Sequence, residues 1–220
     1  MINSVYQKLF AHFGHQGWWP VSSKTGIRYH PDDYSHPKTE AERFEIILGA
    51  ILTQNTSWTN VEKVITNLKN KNLLGKNQLK RIPGQRLASL IRSSGYYNQK
   101  SRKIREFLAY KGPVERQELL KIWGLGPETV DSMLLYAYNE PVFVIDAYTK
   151  RIFSRLLPEK TSRLKTYEEW RQFFESKLPK NTKIFKEYHA LLVKLAKENC
   201  RKKPECAKCP LKLCCRYNHQ

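Results

Sequence analysis

Three groups of residues in this chain have the types and spacing that chemistry requires. The first is a set of five cysteines, Cys200, Cys206, Cys209, Cys214 and Cys215, all confined between positions 200 and 215. In a reducing compartment such crowding points to a metal or iron–sulfur site rather than to disulfides. The second is Trp123-Gly124-Leu125-Gly126-Pro127-Glu128. Two glycines one residue apart let a backbone approach a ligand closely, and Pro127 suits the first position of a helix. N–H groups at such a helix start can cradle phosphate, although the same turn also serves as plain punctuation between helices. The third is Asp146, which follows the apolar run 142–145 and opens DAYTKRIFSRLL. Asp before a helix is a common cap.

The elements that must position these groups read as helices. Phe44, Ile47, Leu48 and Ile51 fall at i, i+3, i+4 and i+7, with Glu40, Glu42 and Arg43 outside the stripe. Val130, Met133, Leu134 and Ala137 repeat the pattern, as do Ile184, Tyr188, Leu191, Leu192 and Leu195, and a shorter stripe runs through Val61, Ile65 and Leu68. Gly- and Pro-containing breaks at 83–84, 93–95 and 111–113 cut the middle of the chain into helices of ordinary length. Residues 142–145 are strand-like but too short and isolated to build a sheet, so they read as a buried connector. Residues 14–38 combine Gly, Pro, His and aromatics without periodicity and read as loop or short turns. The expected fold is all-α, and no internal repeat interrupts it.

Composition narrows the class. The chain has 220 residues, 39 Lys+Arg against 20 Asp+Glu, 40% hydrophobic and 12% aromatic residues, enough for a substantial core and unlike a disordered basic tail. No apolar run reaches the length of a membrane span, and the N-terminus lacks the apolar segment of a signal peptide, so a cytosolic protein is expected. Residues 1–60 carry five basic and five acidic side chains, so the whole net charge of +19 lies beyond them. Segment 61–115 has 13 basic and three acidic residues, and 194–220 has eight and two. Such concentration favours a polyanion, with nucleic acid first, over a generic lysine-rich surface or an anionic membrane.

The order of glycine hairpin, helix, apolar run and Asp146 resembles the helix-hairpin-helix DNA glycosylases of the endonuclease III superfamily. The resemblance extends to AILTQNTSWTNVEKVI at 50–65, to SSGYYNQKSRKI at 93–104 with its G-x-Y-N-x-K pattern, and to the terminal cysteines, covering roughly 40–215 in the right order. It implies two helical lobes with a DNA-binding cleft between them: a six-helix domain with the hairpin at 38–142, and a terminal domain of 1–37 plus 143–220. It implies that Asp146 stabilises the sugar cation or activates water as the base–sugar bond breaks.

Bifunctional members place a lysine two residues after the second hairpin glycine. Here Glu128 stands there, and a carboxylate cannot form an imine. The resemblance therefore implies a monofunctional N-glycosylase that leaves an abasic site in base excision repair. The alternatives are a bifunctional endonuclease III-like enzyme on oxidised pyrimidines, and a non-catalytic DNA binder. Gln54 corresponds to the residue that fills the space of a flipped base, and Tyr96 to the opposing wedge. Asn98, Lys100, Gly124 and Gly126 are the remaining expected DNA contacts. Trp18, Trp19, Pro20 and Phe44 resemble the 3-methyladenine branch, in which aromatic rings sandwich an alkylated purine. Their plainer reading is a staple of the N-terminal segment onto the core. Cys200, Cys206, Cys209 and Cys215 resemble the family's [4Fe–4S] loop, with Cys214 spare or replacing Cys215; a four-cysteine zinc site would satisfy the same count. The implied partner is double-stranded DNA carrying a damaged base. The expected protein is monomeric, in bacterial or archaeal cytosol or nucleoid.

Overall fold

The computed structural model describes residues 1–219. It is 60% helical with two short strands, so the all-α expectation holds. In chain order the elements are α1 (Ile2–Phe13), β1 (Val21–Ser23), β2 (Gly26–Arg28), α2 (Glu40–Leu52), α3 (Trp58–Asn70), α4 (Lys76–Arg81) and α5 (Gly84–Leu90). Then come α6 (Tyr97–Ala109), α7 (Arg116–Leu119), α8 (Pro127–Ser132), α9 (Ala147–Leu156), α10 (Pro158–Thr161), α11 (Tyr167–Glu175) and α12 (Thr182–Glu198). Among the described residues no helix is long and apolar enough to cross a membrane.

The chain divides into two compact units. The central unit takes Trp19–His30 and Ser35–Asn139; the terminal unit takes Met1–Trp18, Pro31–Tyr34 and the chain from Glu140 onward. The sequence reading kept 1–37 together with the C-terminal part, whereas here Trp19–His30 packs with the central unit.

In the central unit α2 is the spine. Thr39 caps its start by accepting from the Glu42 amide at 3.2 Å, and every residue from Phe44 to Leu52 is buried. A helix buried all round must be surrounded, and α3, α6, α8 and β1 pack against it. Residues 14–38, expected to lack regular structure, contain an antiparallel hairpin pairing Val21 with Arg28 and Ser23 with Gly26. Strands of three residues leave no readable periodicity, and what fixes this hairpin is distant in sequence. The buried Glu45 carboxylate accepts from the Ser22 amide and hydroxyl, both at 2.6 Å, and Lys69 donates to the Ser23 carbonyl. After α8 the expected continuous amphipathic helix widens into a π-helical turn at Met133–Ala137, all five residues buried.

In the terminal unit α12 packs against both α1 and α9. The core is aromatic: Phe143 stacks on Phe174 at 4.6 Å and meets Phe185 and Tyr188 edge-on, while the Tyr188 hydroxyl donates to the Ile2 carbonyl at 2.8 Å. Residues 142–145 form the buried connector expected of them. Two of their amides are satisfied by side chains of α11 rather than by a second strand: Phe143 N–H donates to Glu175 at 2.9 Å and Ile145 N–H to the Tyr167 hydroxyl at 3.2 Å.

Candidate active site and DNA-facing residues

Helix α6 organises the residues of the central unit that the sequence marked as expected DNA contacts. At its start Gly95 (φ 67) and Tyr96 (φ 45, ψ 34) both take left-handed conformations, which is costly for a tyrosine. The result is a ring 65% exposed at the tip of the turn, with Asn98 exposed just behind it. Lys100 corrects the sequence reading. It is 1% exposed, and its ammonium donates to the Leu52 carbonyl at 2.8 Å and the Ser94 carbonyl at 2.6 Å, so it cannot reach a phosphate. Burial, with a smaller push from Lys103, lowers its pKa to about 8. Lys100 ties the end of α2, two residues before Gln54, to the turn that presents Tyr96. The motif position was legible, but its solvent exposure was not.

Gln54 is held by the hairpin. Its Nε2 donates to Thr129 Oγ1 at 2.8 Å and to the Gly124 carbonyl at 3.3 Å, while its Oε1 accepts from Lys103. Burial shifts the Lys103 amine downward. The stem of Lys103 lies where a Cβ on Gly124 would fall, 2.6 Å from Cγ and Cε, and Gly124 has φ 80, so glycine is required there on both counts. Gly126 differs: its φ is −87, and an added Cβ would meet nothing. The space in front of it is open to a ligand, as a phosphate cradle needs. Glu128 is exposed in the first turn of α8. The hairpin is braced by Arg116 on α7, whose guanidinium meets the fully buried Asp131 of α8 bidentately at 2.6 and 3.1 Å. Arg102 lies over the ring of Trp123, 3.8 Å from its centroid. Fifteen residues separate Arg116 from Asp131, and no local pattern announces the pair.

Of the four residues expected to meet a base, Trp19, Pro20 and Phe44 lie in the core of the central unit. Trp19 and Phe44 are 7% and 6% exposed, and Pro20 is buried. Trp19 packs edge-on against Trp58 at 5.3 Å, lies 5.4 Å from the Tyr136 ring, and fills the space above Gly49. These contacts are those of a staple. Trp18 belongs to the terminal unit, half-buried, with the Lys197 ammonium 6.0 Å from its ring.

In the terminal unit Asp146 caps α9, its Oδ1 accepting from the Thr149 amide at 2.6 Å. Its Oδ2 faces His189 Nε2 of α12 at 3.7 Å. Burial opposes ionisation of this carboxyl, yet His189 and Thr149 favour the anion more strongly, and it titrates below its usual range. Sequence reasoning missed His189. The available signal was a histidine inside the buried arc of α12, four residues after Phe185.

The far end of α9 holds the cysteine loop. Arg151 donates to the Cys200 carbonyl at 2.9 Å; Arg155 reaches the Arg201 and Lys202 carbonyls at 2.6 and 2.9 Å and Cys200 Sγ at 3.3 Å. Cys200, Cys206, Cys209 and Cys215 line one cavity of about 30 Å³. The Cys209 thiol is pushed up by burial and then by the other three sulfurs, so the four are close enough to repel as thiolates. That donor set fits a cationic metal centre. Cys214 stands apart, exposed, with its sulfur on the Leu211 carbonyl at 3.3 Å.

A glycine hairpin braced by an ion pair, a buried helix-capping aspartate and a four-cysteine loop on one helical scaffold define a class. The chain belongs to the HhH-GPD superfamily of base excision DNA repair proteins, whose family model matches residues 48–180. A chain of Methanocaldococcus jannaschii assigned as a DNA repair glycosylase is 41% identical over 98% of this chain and 96% of its own length. Endonuclease III of Thermotoga maritima is 28% identical over 81% of this chain and 84% of its own. A solved non-covalent endonuclease III–DNA complex shares the fold, with a TM-score of 0.79 and 22% identity over 99% of this chain and 95% of that one.

Proposed function

We propose that the protein is a monofunctional DNA N-glycosylase, which hydrolyses the bond between a flipped damaged base and its deoxyribose and leaves an abasic site. The carrying observation is Glu128, an exposed carboxylate two residues after the second hairpin glycine, where an imine-forming amine would stand. Asp146 is the proposed catalytic carboxylate. Held as a buried anion, it can stabilise an oxocarbenium-like sugar by several kcal/mol. Gly124, Gly126 and the start of α8 would grip one phosphate, with Tyr96 and Gln54 at the vacated base position. Double-stranded DNA is the proposed partner.

The proposed substrate class is an N-alkylated purine, a cationic base that leaves readily. Support comes from Trp18, whose half-buried indole already lies near one cation, Lys197. Cys200, Cys206, Cys209 and Cys215 are the proposed ligands of a [4Fe–4S] cluster. Only Cys206 and Cys209 form a close pair, whereas zinc sites usually draw on two such pairs. When bound, the cluster would supply a rigid core for a loop that presents Arg201, Lys202, Lys203 and Lys208 to DNA.

One observation favours a second reading, a bifunctional enzyme on oxidised pyrimidines. Lys103 brings an amine of lowered pKa to Gln54. Duplexes bearing different lesions, treated with and without alkali, separate the readings. Strand cutting only after alkali, abolished in Asp146→Asn, is expected. Stoichiometric borohydride trapping of an enzyme–DNA adduct would overturn the monofunctional reading, and no base release from any lesion would leave a DNA binder.

A further inference from the structure

We propose that His189 is a positioning residue for Asp146, fixing the plane of its carboxylate and keeping the oxygen that faces the sugar available. The inference rests on Asp146 being the catalytic carboxylate. Oδ1 is committed to the Thr149 amide at 2.6 Å, so the function falls to Oδ2. A single capping bond fixes one oxygen but leaves the carboxylate plane free to swing about it. The second constraint is His189 Nε2, 3.7 Å from Oδ2, with both side chains nearly closed to solvent at 8% and 12% exposure.

That separation is informative. At that separation the imidazole makes a long polar contact that favours the anion and orients Oδ2, without the short bond that Oδ1 makes to the Thr149 amide. Oδ2 can turn to a cationic C1′ without first breaking a strong bond. The histidine is itself held on a fixed helix. Next to it Tyr188 donates to the Ile2 carbonyl at 2.8 Å, and Glu187 accepts from the Gln16 amide at 2.8 Å and the Tyr34 hydroxyl at 2.6 Å. A histidine serving only as core filler would need no acceptor at its Nε2, and leucine would replace it without effect on rate.

The test compares full-length His189→Leu and His189→Gln. The other charged groups on the packed helices are kept unchanged: Lys183, Lys186, Glu187, Lys194, Lys197 and Glu198 on α12, Lys150, Arg151 and Arg155 on α9, and Lys8 and His12 on α1. His189→Leu is expected to slow single-turnover base release about 10- to 100-fold, the scale of one oriented contact to a charged group. Affinity for duplex should stay within about twofold, since neither His189 nor Asp146 is among the proposed phosphate contacts. His189→Gln, which retains an N–H donor, should recover most of the rate. Independently of any substrate, the Asp146 carboxyl carbon followed by NMR should titrate higher in His189→Leu. A wild-type rate and an unmoved titration in His189→Leu overturn the proposal. So does equal loss in both variants that tracks a fall in Tm and affinity. Asp146→Asn separates the two levels: if it keeps full activity the catalytic reading itself fails, whereas an inactive Asp146→Asn beside a fully active His189→Leu overturns the positioning role alone.

Discussion

Replacing Lys100 by Met distinguishes a buried anchor from a DNA contact. The methionine fills similar space but leaves the carbonyls of Leu52 and Ser94 without the ammonium that now meets them at 2.8 and 2.6 Å. Two hydrogen bonds from a charged donor contribute about 3–6 kcal/mol together. Burying the ammonium, which brings its pKa from 10.5 to about 8, costs about 3 kcal/mol. The difference, with two carbonyls left unpaired, gives an expected loss near 2 kcal/mol, or about 4–8 °C in Tm for a chain of this size. The pH dependence has a definite sign. An unfolded lysine keeps its proton to about 10.4, whereas the folded one releases it near 8, so this group makes the wild type more stable as pH rises through that window. Lys100→Met lacks that rise. The decisive assay is duplex affinity against salt. A lost phosphate contact would flatten the log–log slope by about 0.9, while a lost internal anchor weakens binding with the slope unchanged. A flattened slope with an unmoved Tm would refute the assignment.

Asp131→Ala removes the bidentate contact that Arg116 makes at 2.6 and 3.1 Å and should cost about 3–5 kcal/mol in denaturant unfolding, with DNA affinity falling as the hairpin loosens. Gly124→Ala puts a methyl at φ 80 against the stem of Lys103; a stability loss of about 1–2 kcal/mol and weaker duplex binding are expected, seen in unfolding and binding titrations. Cys206→Ser should lower iron content and visible absorption, whereas Cys214→Ser should leave both intact; equal loss in the two would place Cys214 among the ligands.

Much of the fold was legible because it rests on local pattern. The apolar stripe of α2, the break at Gly124-Leu125-Gly126-Pro127 and the cap at Asp146 each lie within a few residues, and each fell where the spacing implied. What stayed hidden depends on residues far apart in the chain. Glu45 pins Ser22 across 23 residues, Arg116 meets Asp131 across 15, and His189 faces Asp146 from another helix. Burial was the second blind spot. Lys100 and Trp19 sit in motifs that suggest contact with a ligand, but the space around them is filled by their own unit. An indole packs as well in a core as it does on a base, so the aromatic pattern by itself does not distinguish the two.

Helix α9 has ten residues, about 15 Å of rod, with the capping carboxylate at one end and Arg151 and Arg155 gripping the cysteine loop toward the other. Its residue count is therefore a phase setting. One residue inserted within it advances everything downstream by 1.5 Å and turns it by about 100°, so a carboxylate held in place would leave the arginine pair pointing away from the loop. Length variation is tolerated neither within this rod nor in the buried connector that leads into it, and an insertion scan across 140–165 should show a window of intolerance running from Phe143 to Arg155.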